Sequence, residues 1–333
     1  MNNKEKILEV KQLKKYFPLR NGLFRTSSAS IKAVDDISFA VYQGETLGIV
    51  GESGSGKSTL GRTILRLYEP TDGEIWFQGK NIAPLGEREL KPFRKDMQMI
   101  FQDPFSSLNP QFTIKRIVEE PFLAQSKLSK KERTEKVLQL LEKVGVSEDA
   151  LTKHPHEFSG GQRQRIGIAR ALAMNPKFII ADEPVSALDV SIQAQVLNLM
   201  KDLQEEFHLT YLFISHDLSV VKHISDRVGV MYLGRIMEIG PKNAIYDNPL
   251  HPYTKALLSS VPKTNLKAKR ERITLHGEPP NPAEPPSGCA FRTRCPFAHD
   301  RCITERPKLA HQGEGHFVAC HLFEKTAANS LSS

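Results

Sequence analysis

Nine consecutive residues, Gly51-Glu52-Ser53-Gly54-Ser55-Gly56-Lys57-Ser58-Thr59, have the types and spacing needed to wrap a phosphate chain. Glycines let successive backbone N–H groups turn inward, and a helix starting at the loop adds the positive end of its dipole. Lys57 then reaches the β- and γ-oxygens while Ser58 ligates Mg2+. A second set, Asp182-Glu183, follows the apolar run Phe178-Ile179-Ile180-Ala181 and places two carboxylates where a buried strand leaves its sheet. In that position Asp182 holds Mg2+ through water, and Glu183 polarises an attacking water, a general-base role worth about 10²–10⁴ in rate. A third string, Phe158-Ser159-Gly160-Gly161-Gln162, opens a helix with Ser159 as its N-cap. Cys289, Cys295, Cys302 and Cys320, separated by five, six and seventeen residues, offer thiolate ligation of a metal.

These residues need elements to bring them together. Ile37 to Val41 reads as a strand, Gln43-Gly44 as a turn, and Thr46 to Val50 as a buried strand feeding the glycine-rich loop. Leu60, Ile64 and Leu67 give Ser58 to Leu67 helical spacing, ended by Pro70, and Glu74 to Gln78 resumes a strand after a Thr-Asp-Gly turn. Val137, Leu140, Leu141 and Val144 mark a helix over Lys130 to Val144, and Gly161 to Met174 forms another before Asn175-Pro176. Phe178 to Ala181 and Thr210 to Ile214 are continuous apolar runs of the parallel-strand kind, separated by a helix from Ile192 to Phe207. In an open α/β sheet, ligands collect beyond the carboxyl ends of the strands, so Gly51, Asp182 and Ser215-His216 are expected to converge.

Composition excludes several classes. The chain has 333 residues, 39% of them hydrophobic, which fits one large folded domain and a smaller one. Its net charge of +8 would permit a polyanionic partner, but the 46 Lys and Arg against 38 Asp and Glu are spread along the chain. No apolar run approaches the roughly 18 residues of a membrane span, and Met1-Asn2-Asn3-Lys4-Glu5-Lys6 lacks the apolar core of a secretory signal, so a cytosolic location is expected. No internal repeat is visible. Residues 279–286 carry five prolines, an extended, semi-rigid linker. All four cysteines lie in the last 45 residues, and in a reducing compartment that clustering points to a metal instead of disulfides.

Ser159-Gly160-Gly161-Gln162 between a phosphate loop and an Asp-Glu strand resembles the signature of the ATP-binding cassette superfamily. The two motifs coincide by chance at roughly one in ten thousand at average composition. The resemblance implies further roles. Gln102 takes the Q-loop position as a catalytic group and Mg2+ ligand, Ser186-Ala187-Leu188-Asp189 looks like the D-loop with Asp189 at the nucleotide, and His216 stands at the switch position. Phe17, with Tyr16 as alternative, stacks on adenine. It also implies that Ser159 to Gln162 face ATP held by a second ATPase subunit, so that ATP closes a dimer and hydrolysis releases it.

Within that superfamily the chain resembles the ATPase subunits of oligopeptide and dipeptide importers, in the peptide/nickel transporter group. The strings are Lys15-Tyr16-Phe17-Pro18, residues 101–110 (FQDPFSSLNP), residues 251–258 (HPYTKALL) and the cysteine-rich tail. The resemblance implies a parallel-sheet P-loop core, an antiparallel β subdomain and a helical signature subdomain over about 102–174. The whole cassette spans 1–258, followed by a linker over 259–288, a cysteine-rich domain over 289–325 packing separately, and a disordered tail over 326–333. It further implies a peripheral position on the cytoplasmic face of the membrane, a second and usually different ATPase chain, two transmembrane permease subunits and an extracytoplasmic peptide-binding protein, with no nucleic acid. The segment after Gln102 would receive the permeases' coupling helices. Another imported substrate such as a metal chelate is the first alternative, and a soluble nucleic-acid-acting cassette the second.

Spacing alone leaves Zn2+, a [4Fe–4S] cluster or plain thiols open for Cys289, Cys295, Cys302 and Cys320. Resemblance to the importer group points to the [4Fe–4S] cluster. His316 and His321 are reserve ligands, and Arg292, Arg294, His299 and Arg301 are positioned in sequence to offset its charge. The basic run Lys263, Lys267, Lys269, Arg270 and Arg272 reads as a solvated face that could also touch anionic lipid.

Overall fold

A computed structural model describes residues 5–21, 25–125, 128–260, 273 and 277–324. The basic run from Lys263 to Arg272 and the 326–333 tail lie outside the described residues. Strands β1 (Lys6–Asn21) and β2 (Arg25–Tyr42) lead into β3 (Thr46–Val50), whose five residues are all buried. Helix α1 (Lys57–Ile64) follows the glycine-rich loop, then β4 (Asp72–Phe77), β5 (Lys80–Asn81), α2 (Glu87–Arg94) and β6 (Met97–Ile100). Four helices come next: α3 (Pro104–Ser107), α4 (Ile114–Gln125), α5 (Lys130–Lys143) and α6 (Gly160–Leu172). Strand β7 (Phe178–Asp182), helix α7 (Val190–Phe207), β8 (Thr210–Ser215) and α8 (Leu218–Ile224) complete the alternating part. The chain continues as β9 (Arg227–Tyr232), β10 (Arg235–Pro241), α9 (Lys242–Asp247), α10 (Pro252–Ser259), α11 (Asp300–Thr304), β11 (Ala310–Gly313) and β12 (His316–Val318).

These elements fall into two compact units, one of residues 1–9, 40–46 and 76–215, the other of residues 10–39, 47–75 and 216–333. In the first, β6, β7 and β8 run parallel, with Met97 opposite Phe178 and Phe178 opposite Thr210. Both faces of these strands are covered, which is why Phe178 to Ala181 and Tyr211 to Ile214 are uniformly apolar and at most 1% exposed. The registers carry Asp182 to the carboxyl end beside Ile214. Helices α3 to α6 pack on one another within this unit. Their apolar stripe is built from Ile117, Val118, Val137, Leu141, Ile166 and Ile168, all buried.

The second unit pairs β3 with β9 in parallel and then turns antiparallel, in the order β3-β9-β10-β12-β11. Leu233 and Gly234 connect β9 to β10 with φ of 43° and 78°, the left-handed pair of a two-residue hairpin. Another sheet has the order β2-β1-β4-β5, with β4 and β5 antiparallel. It corresponds to the small antiparallel sheet expected near the N-terminus.

The expectation that the tail packs by itself after the prolines is not met. Strand β12 pairs with β10, Glu238 opposite Val318, so the tail continues a sheet that begins at β3. The cause lies in a buried polar pair that local periodicity does not reveal: His316 Nε2 lies 2.7 Å from Glu238 Oε1, and Glu238 is fully buried. Arg306 adds a second anchor, donating to the backbone oxygen of Asp35 at 2.8 Å.

Candidate functional site

The glycine-rich loop connects β3 to α1, as its chemistry requires. Gly56 has φ 99°, and a Cβ there would stand 2.0 Å from the Ala33 carbonyl oxygen, so only glycine allows the loop to close on the helix. Lys57 is 4% exposed; its Nζ donates to the carbonyls of Gly51 at 2.8 Å and Glu52 at 3.0 Å and to Ser55 Oγ at 3.4 Å. The lysine therefore lies inside the curve of its own loop, where a phosphate chain would meet it. Gly51 and Ser55 are buried, Gly56, Ser58 and Thr59 half-buried, and Ser53 and Gly54 face outward.

In the same unit Tyr16 and Phe17 part ways. The Tyr16 hydroxyl donates to Asp35 Oδ1 at 2.6 Å, while Arg235 donates to Asp35 Oδ2 through Nε at 3.0 Å and Nη2 at 2.7 Å. Burial pushes the Asp35 carboxyl up, but Tyr16 and Arg235 outweigh it and leave it below the usual carboxylate range. Tyr16 is thus committed internally. Phe17 is half-buried, edge-on to Tyr68 at 5.6 Å, with the Lys15 ammonium 4.9 Å from its ring centroid. His216 is exposed just beyond the end of β8.

The other unit holds the carboxylates. Asp182 is fully buried at the end of β7. Glu183 takes φ 47°, a left-handed conformation costing a non-glycine residue about 1–3 kcal/mol that the surroundings must hold in place. Its N–H donates to the Ile214 carbonyl at 2.8 Å, and its own carbonyl accepts from Ser186 Oγ at 3.0 Å. Those bonds aim the Glu183 carboxylate at Gln102, whose Nε2 donates to Oε2 at 2.9 Å. Eighty-one residues of sequence separate this pair, and the parallel registers of β6 and β7 close the gap.

Ser159 and Gln162 form a reciprocal capping box at the start of α6: the Gln162 N–H donates to Ser159 Oγ at 3.4 Å and the Ser159 N–H to Gln162 Oε1 at 3.0 Å. A Cβ on Gly161 would be 2.5 Å from Ile192 Cγ2 of α7, and one on Gly160 would come within 3.3 Å of Leu188 Cδ2 in the segment before α7. Asp189, exposed, precedes α7, and the next residue, Val190, is 82% exposed. Helix α6 also grips the segment after Gln102. Asp103 caps α3, the Arg163 guanidinium lies 4.0 Å from the Phe105 ring centroid, and Arg170 donates to the Ser107 carbonyl at 2.6 Å.

The cysteine-rich segment departs from expectation. Among the described residues no group of three or more His, Cys, Asp or Glu side chains stands together as a metal-holding set. Both reserve histidines are committed elsewhere: His316 to Glu238, and His321 through Nδ1 to Glu324 at 3.0 Å and Nε2 to the Glu305 carbonyl at 3.0 Å. Arg294, expected to offset thiolate charge, gives its guanidinium to Glu52. His299 keeps the expected neighbourhood, Nδ1 3.0 Å from Cys302 Sγ. Burial, together with the neighbouring thiols, pushes Cys289 and Cys295 up and Cys320 to about 11. Each of these three thiols thus has at least one other cysteine close enough to oppose its ionisation.

Known proteins match the chain across this whole arrangement. The ABC transporter family profile matches residues 34–186, and that of the oligopeptide/dipeptide transporter C-terminal region matches residues 237–302. The oligopeptide transport ATP-binding protein AppF of Bacillus subtilis (strain 168) is 62% identical over 324 residues, covering 96% of this chain and 98% of AppF. The putative oligopeptide transport ATP-binding protein YkfD of the same organism is 57% identical, covering 95% of each. Among solved structures, the dimeric post-hydrolysis ATP-binding cassette MJ0796 bound to ADP and Pi aligns with a TM-score of 0.63 at 31% identity, over 71% of this chain and 98% of that one. Both the cassette motifs and the segment behind them are covered, and the chain belongs to the ATP-binding cassette family of transporter ATPases, in the group of oligopeptide transport ATP-binding proteins.

Proposed function

We propose that this chain is the ATP-hydrolysing subunit that energises import of dipeptides or oligopeptides across the cytoplasmic membrane. The observation that carries the reading is end-to-end identity of 62% to an oligopeptide transport ATP-binding protein, together with an intact set of Lys57, Asp182, Glu183, Ser159 and His216. ATP with its Mg2+ is the substrate. In this reading the loop from Gly51 to Thr59 binds the phosphates, Ser58, Gln102 and Asp182 serve Mg2+, Phe17 stacks on adenine, and His216 and Glu183 act at the γ-phosphate. Gln102 fixes the Glu183 carboxylate so that it can orient water. The Tyr16 commitment to Asp35 is what supports Phe17 as the stacking ring.

The same reading has Ser159 to Gln162 and Asp189 meet ATP on a second, different ATPase chain, with two permeases and an extracytoplasmic peptide-binding protein completing the importer. Among the described residues no helix is long and apolar enough to cross a membrane, which agrees with a peripheral place on the cytoplasmic face. The exposed Phe105 and the arginine clamp behind it support a permease-docking role for the segment after Gln102. The working division is a cassette over 1–258 with helices over about 102–174, a linker over 259–288 and a cysteine-rich segment over 289–325.

A [4Fe–4S] cluster on Cys289, Cys295, Cys302 and Cys320, with Zn2+ as the alternative, belongs to the same proposal. Mutual electrostatic reach of the thiols supports it, and binding must deprotonate them and draw them together. Protein purified anaerobically with stoichiometric iron and sulfide supports the cluster; colourless protein with stoichiometric zinc replaces it. The function itself is tested by uptake of labelled di-, tri- and longer peptides in a strain lacking this chain. Rescue by wild type and not by Lys57→Ala is expected; undiminished uptake in every class without the chain overturns peptide import.

A further inference from the structure

A loop built to hold a triphosphate here has an acidic second residue. A carboxylate next to the phosphate site raises the cost of placing a polyanion there unless something cancels it. The structure supplies the cancelling group from the far end of the chain. Arg294 donates through Nη1 to both Glu52 oxygens, at 3.1 and 2.9 Å, with the Arg294 side chain 8% exposed. This is a charge-assisted contact shielded from water, worth more than the surface pairs elsewhere on the molecule.

Glu52 is held through its N–H, its carbonyl and its carboxylate. Its N–H donates to the Tyr253 hydroxyl at 3.0 Å, its carbonyl accepts from Lys57 Nζ at 3.0 Å, and its carboxylate receives Arg294. Two of these three partners lie outside the loop, one on α10 and one in the cysteine-rich segment. The segment is itself pinned by Phe291, fully buried, whose ring stands 5.4 Å from Tyr232, 5.2 Å from Tyr253 and 5.7 Å from His251. The Arg294 guanidinium lies 5.9 Å from the Tyr232 ring centroid, so the same aromatic cluster orients it.

We propose that Arg294 is a positioning residue for the ATP phosphates: acting through Glu52, it fixes the second residue of the phosphate loop and cancels the carboxylate that would otherwise repel the nucleotide. The proposal rests on the reading of Gly51 to Thr59 as the ATP site. It gives the segment after the prolines a part in nucleotide affinity that does not depend on what its cysteines bind.

The test uses purified full-length protein, with Mg-ATP hydrolysis for KM and kcat and trinitrophenyl-ATP fluorescence for binding. Arg294→Gln is expected to raise KM and the trinitrophenyl-ATP Kd about tenfold while kcat stays within about threefold. The double variant Arg294→Gln with Glu52→Gln is expected to return KM to within about twofold of wild type, because the uncancelled carboxylate is gone. Glu52→Gln alone leaves the Arg294 cation without its carboxylate beside the phosphate site and is expected to lower KM by about twofold or more. A strut with no electrostatic part would lower kcat or the melting temperature, and a second substitution on the loop would not repair it. The proposal is overturned by an unchanged KM in Arg294→Gln, by a double variant as weak as Arg294→Gln, or by a tenfold rise in Glu52→Gln. Wild-type protein that binds ATP no better than Lys57→Ala overturns instead the reading of the loop, and the proposal with it.

Discussion

Glu183 is the residue at which strain, hydrogen bonding and chemistry meet. Its left-handed backbone is held by the Ile214 carbonyl and by Ser186, and its carboxylate by Gln102. A side chain placed this way can act on water only by exchanging the Gln102 amide for it, which the exposed position of Gln102 allows. Glu183→Gln keeps the size and the hydrogen bond but removes the acceptor for a proton. We expect hydrolysis to fall by about 10²–10⁴ while ATP binding persists, and ATP to hold the variant in a closed dimer with its partner ATPase chain in size-exclusion chromatography of the co-purified pair. Turnover close to wild type would remove Glu183 from the role of base. The signature glycines show a different residue-scale logic. A side chain at Gly161 would run into Ile192 of α7, so that position reports helix packing.

At the scale of elements, the aromatic cluster around Phe291 joins α10, β9 and the cysteine-rich segment through side chains alone. Truncating a fully buried phenylalanine costs about 3–5 kcal/mol, and here the cavity would open beside Tyr232 and Tyr253. Phe291→Ala is expected to lower the urea midpoint accordingly and to speed proteolytic cleavage in residues 277–288. Equal cleavage rates in variant and wild type would mean that the β12–β10 pairing holds the segment unaided. Much of the fold was legible because burial writes itself into local sequence. Strands β3, β7 and β8 are unbroken apolar runs and were readable to within a residue; α5 and α6 show their stripes. Strands β11 and β12 were not, since Ala-His-Gln-Gly and His-Phe-Val are too short and polar to show a period, and they owe their place to the His316–Glu238 pair. The phosphate loop and the Asp182-Glu183 pair were visible as strings, whereas the Glu52–Arg294 contact spans 242 residues and leaves no local trace.

On the scale of the whole molecule, one buried polar centre links the cassette strand β10 to the tail and to α10. Glu238, fully buried, accepts from the Leu250 N–H at 2.7 Å and the His251 N–H at 3.0 Å and faces His316 at 2.7 Å. His251 caps α10 by accepting from the Tyr253 N–H on Nδ1, a role only the neutral ring can fill. Burial holds the His251 pKa down at about 4, with Glu238 opposing the shift. In the unfolded chain the ring titrates near 6.5, so between those values the unfolded state binds more protons and stability rises with pH. The stabilisation is complete above about pH 6.5 and is lost as pH falls toward 4, by about 3 kcal/mol in all. His251→Asn retains a cap acceptor without the titration. Urea midpoints measured between about pH 7 and pH 5 should fall steeply for wild type and more gently for the variant. Parallel slopes would remove His251 as the source of the acid sensitivity. Because α10 carries the Tyr253 that holds the Glu52 N–H, acid loss of this centre should also weaken ATP binding in wild type at a pH where the variant still binds.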